Sequence, residues 1–334
     1  MNADLGRQAA ALNAPRTNSY RTEFFFEAAR RSISAPPSYY LLAAVLIVTA
    51  ILSPNLLKAH ALFIFLRQAA PLGIAVIGQL LVMRARSIDL SIGGVFIMTN
   101  YLITSGFLSA YSPAALVIAP IAMGILVGFI NGILVAQIRA SAVIVTLGMT
   151  TVLTGLVLYM SSGRPPGAVP TALRAMAAEH VGLVPLPVII WLVLAILVAM
   201  ALRFMIFGRF LAAVGDNPRA AAISGLPLPH VIILMHLLSG FFAATGGVLH
   251  TAALGVGSVK FGPEIIMNSI AATILGGGTF GSGRGGLSGP FVAVVALAFM
   301  FAVLTVFGIQ DAGKLMIQGA VIAVAAIAYG LRVR

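Results

Sequence analysis

Cysteine is absent from this 334-residue chain. Disulfides, thiolate metal sites and cysteine nucleophiles are excluded together. Charge is almost as scarce: charged residues make up 8% of the chain, against 60% hydrophobic. The acidic side is thinnest, with eight carboxylates: Asp4, Glu23, Glu27, Asp89, Glu179, Asp216, Glu264 and Asp311. None forms a close pair with metal-ligand spacing, so no catalytic residue and no metal site is expected. The five histidines are scattered, with His236 and His250 inside an apolar run; a lone His on a membrane helix is more often hydrogen-bonded to a neighbour than a ligand. The formal charge of +12 comes without any basic block that could form a nucleic-acid stripe.

No soluble domain of this size could hide so much apolar surface. Continuous apolar runs of about 20 residues, punctuated by Gly, Pro and short polar turns, read as membrane helices. Their continuity argues against the alternating pattern of a β-barrel. The expected fold class is an all-α polytopic membrane protein with about ten transmembrane helices. The spans fall at Tyr39–Leu52, Ala69–Met83, Leu90–Leu108, Ala114–Ile138 and Ala142–Met160, then Leu186–Ile206, Val231–Leu254, Ile265–Leu275, Pro290–Phe307 and Leu315–Leu331. Spans 2 and 8 are among the shortest. Short segments in corresponding positions of two halves point to broken helices around a central cavity. Spans 2–5 and 7–10 would then form an inverted repeat.

Residues 1–38 read as a polar cytosolic tail and 39–334 as the membrane domain. The first apolar run begins at Tyr39, too late for a cleavable signal peptide. Within the tail, Tyr20 to Ser34 carries three Phe and flanking arginines and reads either as an interfacial amphipathic helix or as a disordered segment. With the N-terminus inside, fourteen of the 20 Lys and Arg residues fall on the cytosolic side. That asymmetry favours both termini in the cytosol, with 161–185 outside and the loop 207–230 inside.

The loop Phe207 to His230 is the longest polar interruption between two strongly apolar runs, and it carries its own helix punctuation. Asn217 is a good N-cap and Pro218 suits the first helical position. Arg219 to Ser224 is a short Ala-rich helix former, Gly225 fits a left-handed terminus, and Pro227 and Pro229 prevent continuation. A short helix outside the apolar phase is therefore expected between two spans.

Other motifs weigh less. Gly308 to Leu315 matches a phosphate-binding loop until its last position, where Leu315 replaces the Ser or Thr that ligates magnesium. No nucleotide site, and so no ATPase of its own, is expected. The run Gly276 to Gly289 reads as a tight cytosolic turn. Gly124, Gly128 and Gly132 align on one face of span 4 and suit close helix packing. Ser87 to Gly94 (SIDLSIGG) places an acid, two hydroxyls and two glycines at the start of span 3. It reads as a polar cavity lining, as an N-cap for span 3, or as both. Asn131 and Asn268 are further polar groups at membrane depth, where such side chains face protein or a cavity.

These elements resemble ribose-type ABC sugar permeases. SIDLSIGG resembles their GGIDLSVG element; Gly128 to Gly132 and Ile144 to Gly148 resemble G-x-x-N-G and I-V-T-L-G. Residues 207–226 are similar to their cytosolic segment A-x-G-x-N-x-x-A-A-x-x-S-G-I, and residues 270–289 to their final Gly-rich section. The resemblance covers about residues 40–331. It implies the membrane subunit of a bacterial importer of the inner membrane, working as a dimer with a second permease copy or paralogue. A periplasmic binding protein would deliver a sugar or polyol, and a cytosolic ATPase subunit would use the ATP, leaving this chain without a cofactor. Gly208, Arg209, Gly215, Asp216, Asn217, Arg219, Ala221 and Gly225 would form the ATPase-coupling segment. Asp89, Ser91, Asn131, Thr146 and Asn268 would line the translocation pathway.

Two departures stand out. Arg86-Ser87 stands where the family usually has Gly-Gly, and Ile266 to Ser269 (IMNS) where it often has E-L-D-A. Arg84 and Arg86 are either cavity-bordering charges that favour an anionic ligand or positive-inside charges. A branched-chain amino-acid or nucleoside permease is the alternative within the superfamily. A secondary transporter and a non-transporting scaffold are the alternatives outside it. The orientation has a direct test: reporter fusions after Ser162 and after Arg219 should report opposite sides of the membrane, and the same side for both overturns it.

Overall fold

The structure, a computed structural model, describes residues 35–108, 111–278 and 286–333. The expected tail helix at 20–34 and the central part of the Gly-rich turn lie outside the described residues. The first half comprises α1 (Pro37–Leu52), a short 3-10 turn, α2 (Ala59–Arg84), α3 (Ile92–Thr104), α4 (Ala115–Ala136) and α5 (Ala142–Met160). A connecting section follows: α6 (Thr171–Ala178) and a two-stranded hairpin of β1 (His180–Val181) and β2 (Val184–Pro185). Then come α7 (Leu186–Phe204), α8 (Ile206–Asp216) and α9 (Pro218–Ile223). The last four helices are α10 (Leu228–Leu254), α11 (Gly262–Leu275), α12 (Ser288–Val306) and α13 (Asp311–Val333).

Every expected span coincides with a helix, and six helices are long and apolar enough to cross a membrane: α2, α4, α5, α7, α10 and α12. The exposed faces agree with that medium. Ile51, Ile144, Tyr159 and Phe204 present large apolar side chains outward, a pattern that suits lipid and not water.

Span 2 was expected to be short, yet α2 runs 26 residues. The expected start at Ala69 lies well inside the helix, with Arg67 and Gln68 before it and Pro71 after it. A proline forfeits one backbone bond, and packing against other helices can carry that cost. Span 8 is short as expected, being α11 with 14 residues, and the other short one is α3 with 13. Their predecessors are the two longest helices, α2 with 26 and α10 with 27.

The loop from Phe207 is also more ordered than its polarity suggested. Residues 206–216 form α8, which buries Gly208, Leu211, Val214 and Gly215 along one face. Gly208 is obligatory there, because a Cβ would strike the Leu202 carbonyl of α7. The segment 161–185, read only as an outer loop, contains α6 and the hairpin.

Helix α10 sits at the centre, packed on α2, α3 and α4. Its contact with α4 explains the glycine stripe. A Cβ on Gly128 would collide with the His236 carbonyl, one on Gly132 would lie 2.8 Å from Ile233 Cα, and Gly124 and Gly240 meet backbone to backbone. On the other side of α2, Trp191 of α7 is buried over Gly73, with its ring stacked on Phe291 of α12 at 4.1 Å between centroids.

The stripe generates a paired test. Gly148 of α5 has nothing within 4 Å of an added Cβ, so Gly148→Ala should be neutral or stabilise by up to about 1 kcal/mol through helix propensity. Gly128→Ala should instead destabilise by about 1–3 kcal/mol through overpacking. Thermal unfolding in detergent reads both, and equal effects would remove the crossing as the reason for the glycine.

Candidate functional site

Helix α2 ends at Arg84, and the chain turns back through Arg86, whose φ is 61°. A non-glycine residue in that region costs about 1–2 kcal/mol, so surrounding contacts must hold it. Residues 87–91 then enter the interior before α3 begins, with Ser87, Asp89 and Ser91 all buried. Backbone away from water must find internal partners, and α5 supplies two. The Leu90 N–H donates to Thr146 Oγ1 at 3.0 Å, and Thr150 Oγ1 donates to the Leu90 carbonyl at 2.6 Å. Thr146 passes its own proton to the Ala142 carbonyl.

The side chains continue the network. Asp89 Oδ1 accepts from the Ser91 N–H at 2.8 Å and from Ser91 Oγ at 2.6 Å. Asn131 Nδ2 of α4 donates to Ser91 Oγ at 2.9 Å, and Ser87 Oγ shares a proton with His236 Nε2 of α10 at 2.8 Å. Asp89, Ser91, Asn131 and Thr146, expected separately from the sequence, are thus one buried cluster tying α3, α4 and α5 together. Asp89 acts as a local cap, bonding the N–H two residues ahead. Asp89 Oδ2, Asn131 Oδ1 and His236 Nδ1 have no partner among the described residues, which leaves the cluster capacity for further bonds.

Asn268 lies elsewhere, on α11, where its Oδ1 accepts from Gln318 Nε2 of α13. It lines a cleft of about 730 Å³ bounded by α2, α10, α11, α12 and α13. Gln68, His250, Glu264, Asp311 and Lys314 add polar groups, and Leu72, Ile265 and Phe301 add apolar wall. Asp311 and Lys314 form an ion pair at 2.9 Å. A cavity of this size with a few polar groups on apolar walls is suited to a small organic molecule. The same ion pair sits in the segment that imitated a phosphate-binding loop, which here joins two helices.

The short capped helix expected in the loop from Phe207 is present as α9. Asn217 Oδ1 accepts from the Ala220 N–H at 3.1 Å, Pro218 opens the helix, and Gly225 takes φ 79°. Arg219, Ala220, Ala222 and Ile223 are exposed, Ile223 to 89%. The three alanines Ala220, Ala221 and Ala222 do not form one outward face, because Ala221 is buried at 4%. The reason is helical geometry: successive residues diverge by about 100°, so three in a row do not share a face. Gly208 and Gly215 are buried in α8, whereas Arg209 and Asp216 are exposed.

Arg86 connects the two regions. Its Nε donates to the Gly215 carbonyl at 2.7 Å and its Nη2 to the Asp216 carbonyl at 3.1 Å. Arg84, buried at the end of α2, lies in the attractive field of Asp216. Arg86 therefore faces the junction of α8 and α9, and it does not line the cleft. Among the cleft residues only Asn268 is a site candidate in the sequence and Thr150 is not one, whereas His236 is hydrogen-bonded to a neighbour, as expected of a lone histidine on a membrane helix. Thr146 and Thr150 share a helical face by their four-residue spacing, which is the one signal that could have joined them.

A helical bundle with apolar helices of membrane-spanning length, a cleft with a few polar groups on apolar walls and a capped surface helix describe a polytopic α-helical membrane protein. The family described as branched-chain amino acid transport system / permease component matches residues 61–326. The chain is 28% identical over 291 residues to the ribose import permease of Bacillus subtilis, covering 86% of this chain and 90% of that one. It is 31% identical over 260 residues to the autoinducer 2 import system permease of Salmonella choleraesuis, covering 77% and 74%. It is 27% identical over 304 residues to the fructose import permease of Rhizobium meliloti, covering 87% and 84%. No solved structure shows significant similarity. The chain belongs to this branched-chain amino acid transport system / permease component family and is a multi-pass inner-membrane protein.

The buried cluster makes a stability prediction. Ser91→Ala leaves Asn131 Nδ2 without its acceptor and should cost about 1–3 kcal/mol, the penalty of an unmade buried bond. The thermal midpoint of the detergent-solubilised protein reads it. An unchanged midpoint means the bond is not structural.

Proposed function

We propose that this chain is the translocating subunit of an importer for a sugar or related polyol. The reading has ten spans with both termini in the cytosol, and α2–α5 and α10–α13 as inverted repeats. The paired lengths of α2 with α10 and of α3 with α11 support the repeat. The cleft at Gln68, Glu264, Asn268 and Asp311 receives the substrate from a periplasmic binding protein. Carboxylate and amide groups there suit the hydroxyls of a polyol, and the apolar wall suits its carbon face. A second permease copy or paralogue completes the membrane unit.

A separate cytosolic ATPase subunit drives the cycle and uses the ATP, so this chain needs no cofactor. The observation that carries the reading is α9: a helix capped at both ends, with Ile223 almost fully exposed, held between α8 and α10. An apolar side chain at the tip of a tethered helix suits insertion into a partner cleft, and a push on the helix moves the membrane spans on either side. Gly208, Gly215, Asn217, Ala221 and Gly225 shape that helix pair from within, and Arg209, Asp216 and Arg219 lie on its surface. Asp89, Ser91, Asn131 and Thr146 set the inner end of the pathway through α3. The family description also names branched-chain amino acids, which keeps that substrate class as the second reading.

Docking is best tested at Ile223, because a bulky change at Ala221 disturbs this chain's own packing. Ile223→Asp should leave membrane levels normal, abolish co-purification of the ATPase subunit and reduce uptake at least tenfold. Full uptake with the ATPase still bound places the contact elsewhere. Competition of uptake by ribose and fructose, against leucine and valine, separates the two substrate classes.

A further inference from the structure

We propose that Arg86 is a latch that transmits movement of the cytosolic helix pair α8–α9 into the buried polar cluster at the start of α3. The proposal rests on the reading of α9 as the ATPase-docking helix. Arg86 is a positioning residue and touches no substrate.

One end of the latch is the C-terminus of α8. A helix leaves its last carbonyls without internal partners and carries partial negative charge there. The Arg86 guanidinium bonds two of these, on Gly215 and Asp216, immediately before the cap of α9. A planar guanidinium offers donors in a fixed fork, so it grips both carbonyls in one orientation. Any displacement of α8 relative to α2 must stretch these bonds or carry the arginine with it.

The other end begins one residue later. Ser87 is bonded to His236 of α10, Leu90 to Thr146 and Thr150 of α5, and Ser91 to Asn131 of α4. Within six residues the chain is fastened to four helices, one cytosolic and three of the membrane domain. It has little slack: Arg86 is held in the left-handed region, a conformation that persists only while its surroundings over-determine it. Releasing the guanidinium removes one of those restraints and lets the turn relax. The cluster can re-pair when that happens, because Asp89 Oδ2, Asn131 Oδ1 and His236 Nδ1 are unused. A strained turn joined to a network with spare acceptors is the kind of two-arrangement element that conformational coupling requires.

Arg86→Gly cuts the latch while easing the backbone, since glycine takes positive φ freely. It should therefore fold at normal levels. Hydrogen exchange on the full chain in nanodiscs is the first measurement: amides of residues 217–223 should exchange at least tenfold faster in the variant. Unchanged exchange overturns the latch whether or not an ATPase docks, so this arm is independent of the docking reading. The second arm uses the complex with the ATPase subunit and a non-hydrolysable ATP analogue. In the unaltered protein the analogue should alter exchange at residues 87–96. In Arg86→Gly the ATPase should still co-purify while that response is lost, and Arg86→Lys, which retains the charge without the fork, should restore part of it. A full response in Arg86→Gly overturns the proposal. Failure of the ATPase to bind the unaltered chain overturns the docking reading instead, and with it the assignment of what moves the latch.

Discussion

The constraint on which this structure depends is that a peptide group inside a membrane protein has no water to fall back on. Helices satisfy it by themselves. The five residues from Ser87 to Ser91 do not, because they enter the interior before α3 starts. Their polar groups are met by Thr146, Thr150, Asn131 and His236, contributed by three separate helices. The hydroxyls and amides of those helices are thus explained by a short piece of non-helical chain. On the opposite side of α3, Asn100 does similar work for the segment after α10. Its Oδ1 accepts from the Ser258 N–H and its Nδ2 donates to the Val256 carbonyl. Each short helix therefore owes its position to polar side chains as much as to apolar packing.

The second constraint is distance. Lipid offers no hydrophobic drive between helices, so close approach and dense contact must supply the attraction. The bare faces of α4 and α10 meet at Gly124 and Gly240. This brings Asn131 and His236, on neighbouring turns of the same two helices, to the same polar cluster. Small residues and buried polar residues here solve one problem together.

Much of this was legible in the sequence. The helices of the apolar runs could be placed because such a run ends wherever the chain meets water. The cap of α9 was visible because Asn-Pro at one end and Gly at the other have few other uses. The glycine stripe indicated a close crossing, though it could not name α10 as the partner. Three things stayed hidden, for physical reasons. The start of α2 was obscured because the polar pair Arg67 and Gln68 resembles a boundary while lying inside a helix. The helicity of α8 was missed because an amphipathic surface helix is neither apolar enough for a span nor polar enough for a loop. The grip of Arg86 on α8 joins residues about 130 apart in the chain, and no local pattern encodes it. The departure from Gly at that position was visible, but only the backbone angle explained what it costs.

Trp191 is the only tryptophan in the chain. It lies buried between Gly73 of α2 and Phe291 of α12, on the helix that leads directly into α8. The protein therefore carries a single tryptophan fluorophore at the seam between the membrane bundle and the segment that leads into α8. Its emission comes from one site, shielded from solvent and packed against one aromatic ring. Any rearrangement that slides α7 across α2 would change that ring's surroundings, and the light it emits would report the motion without a label.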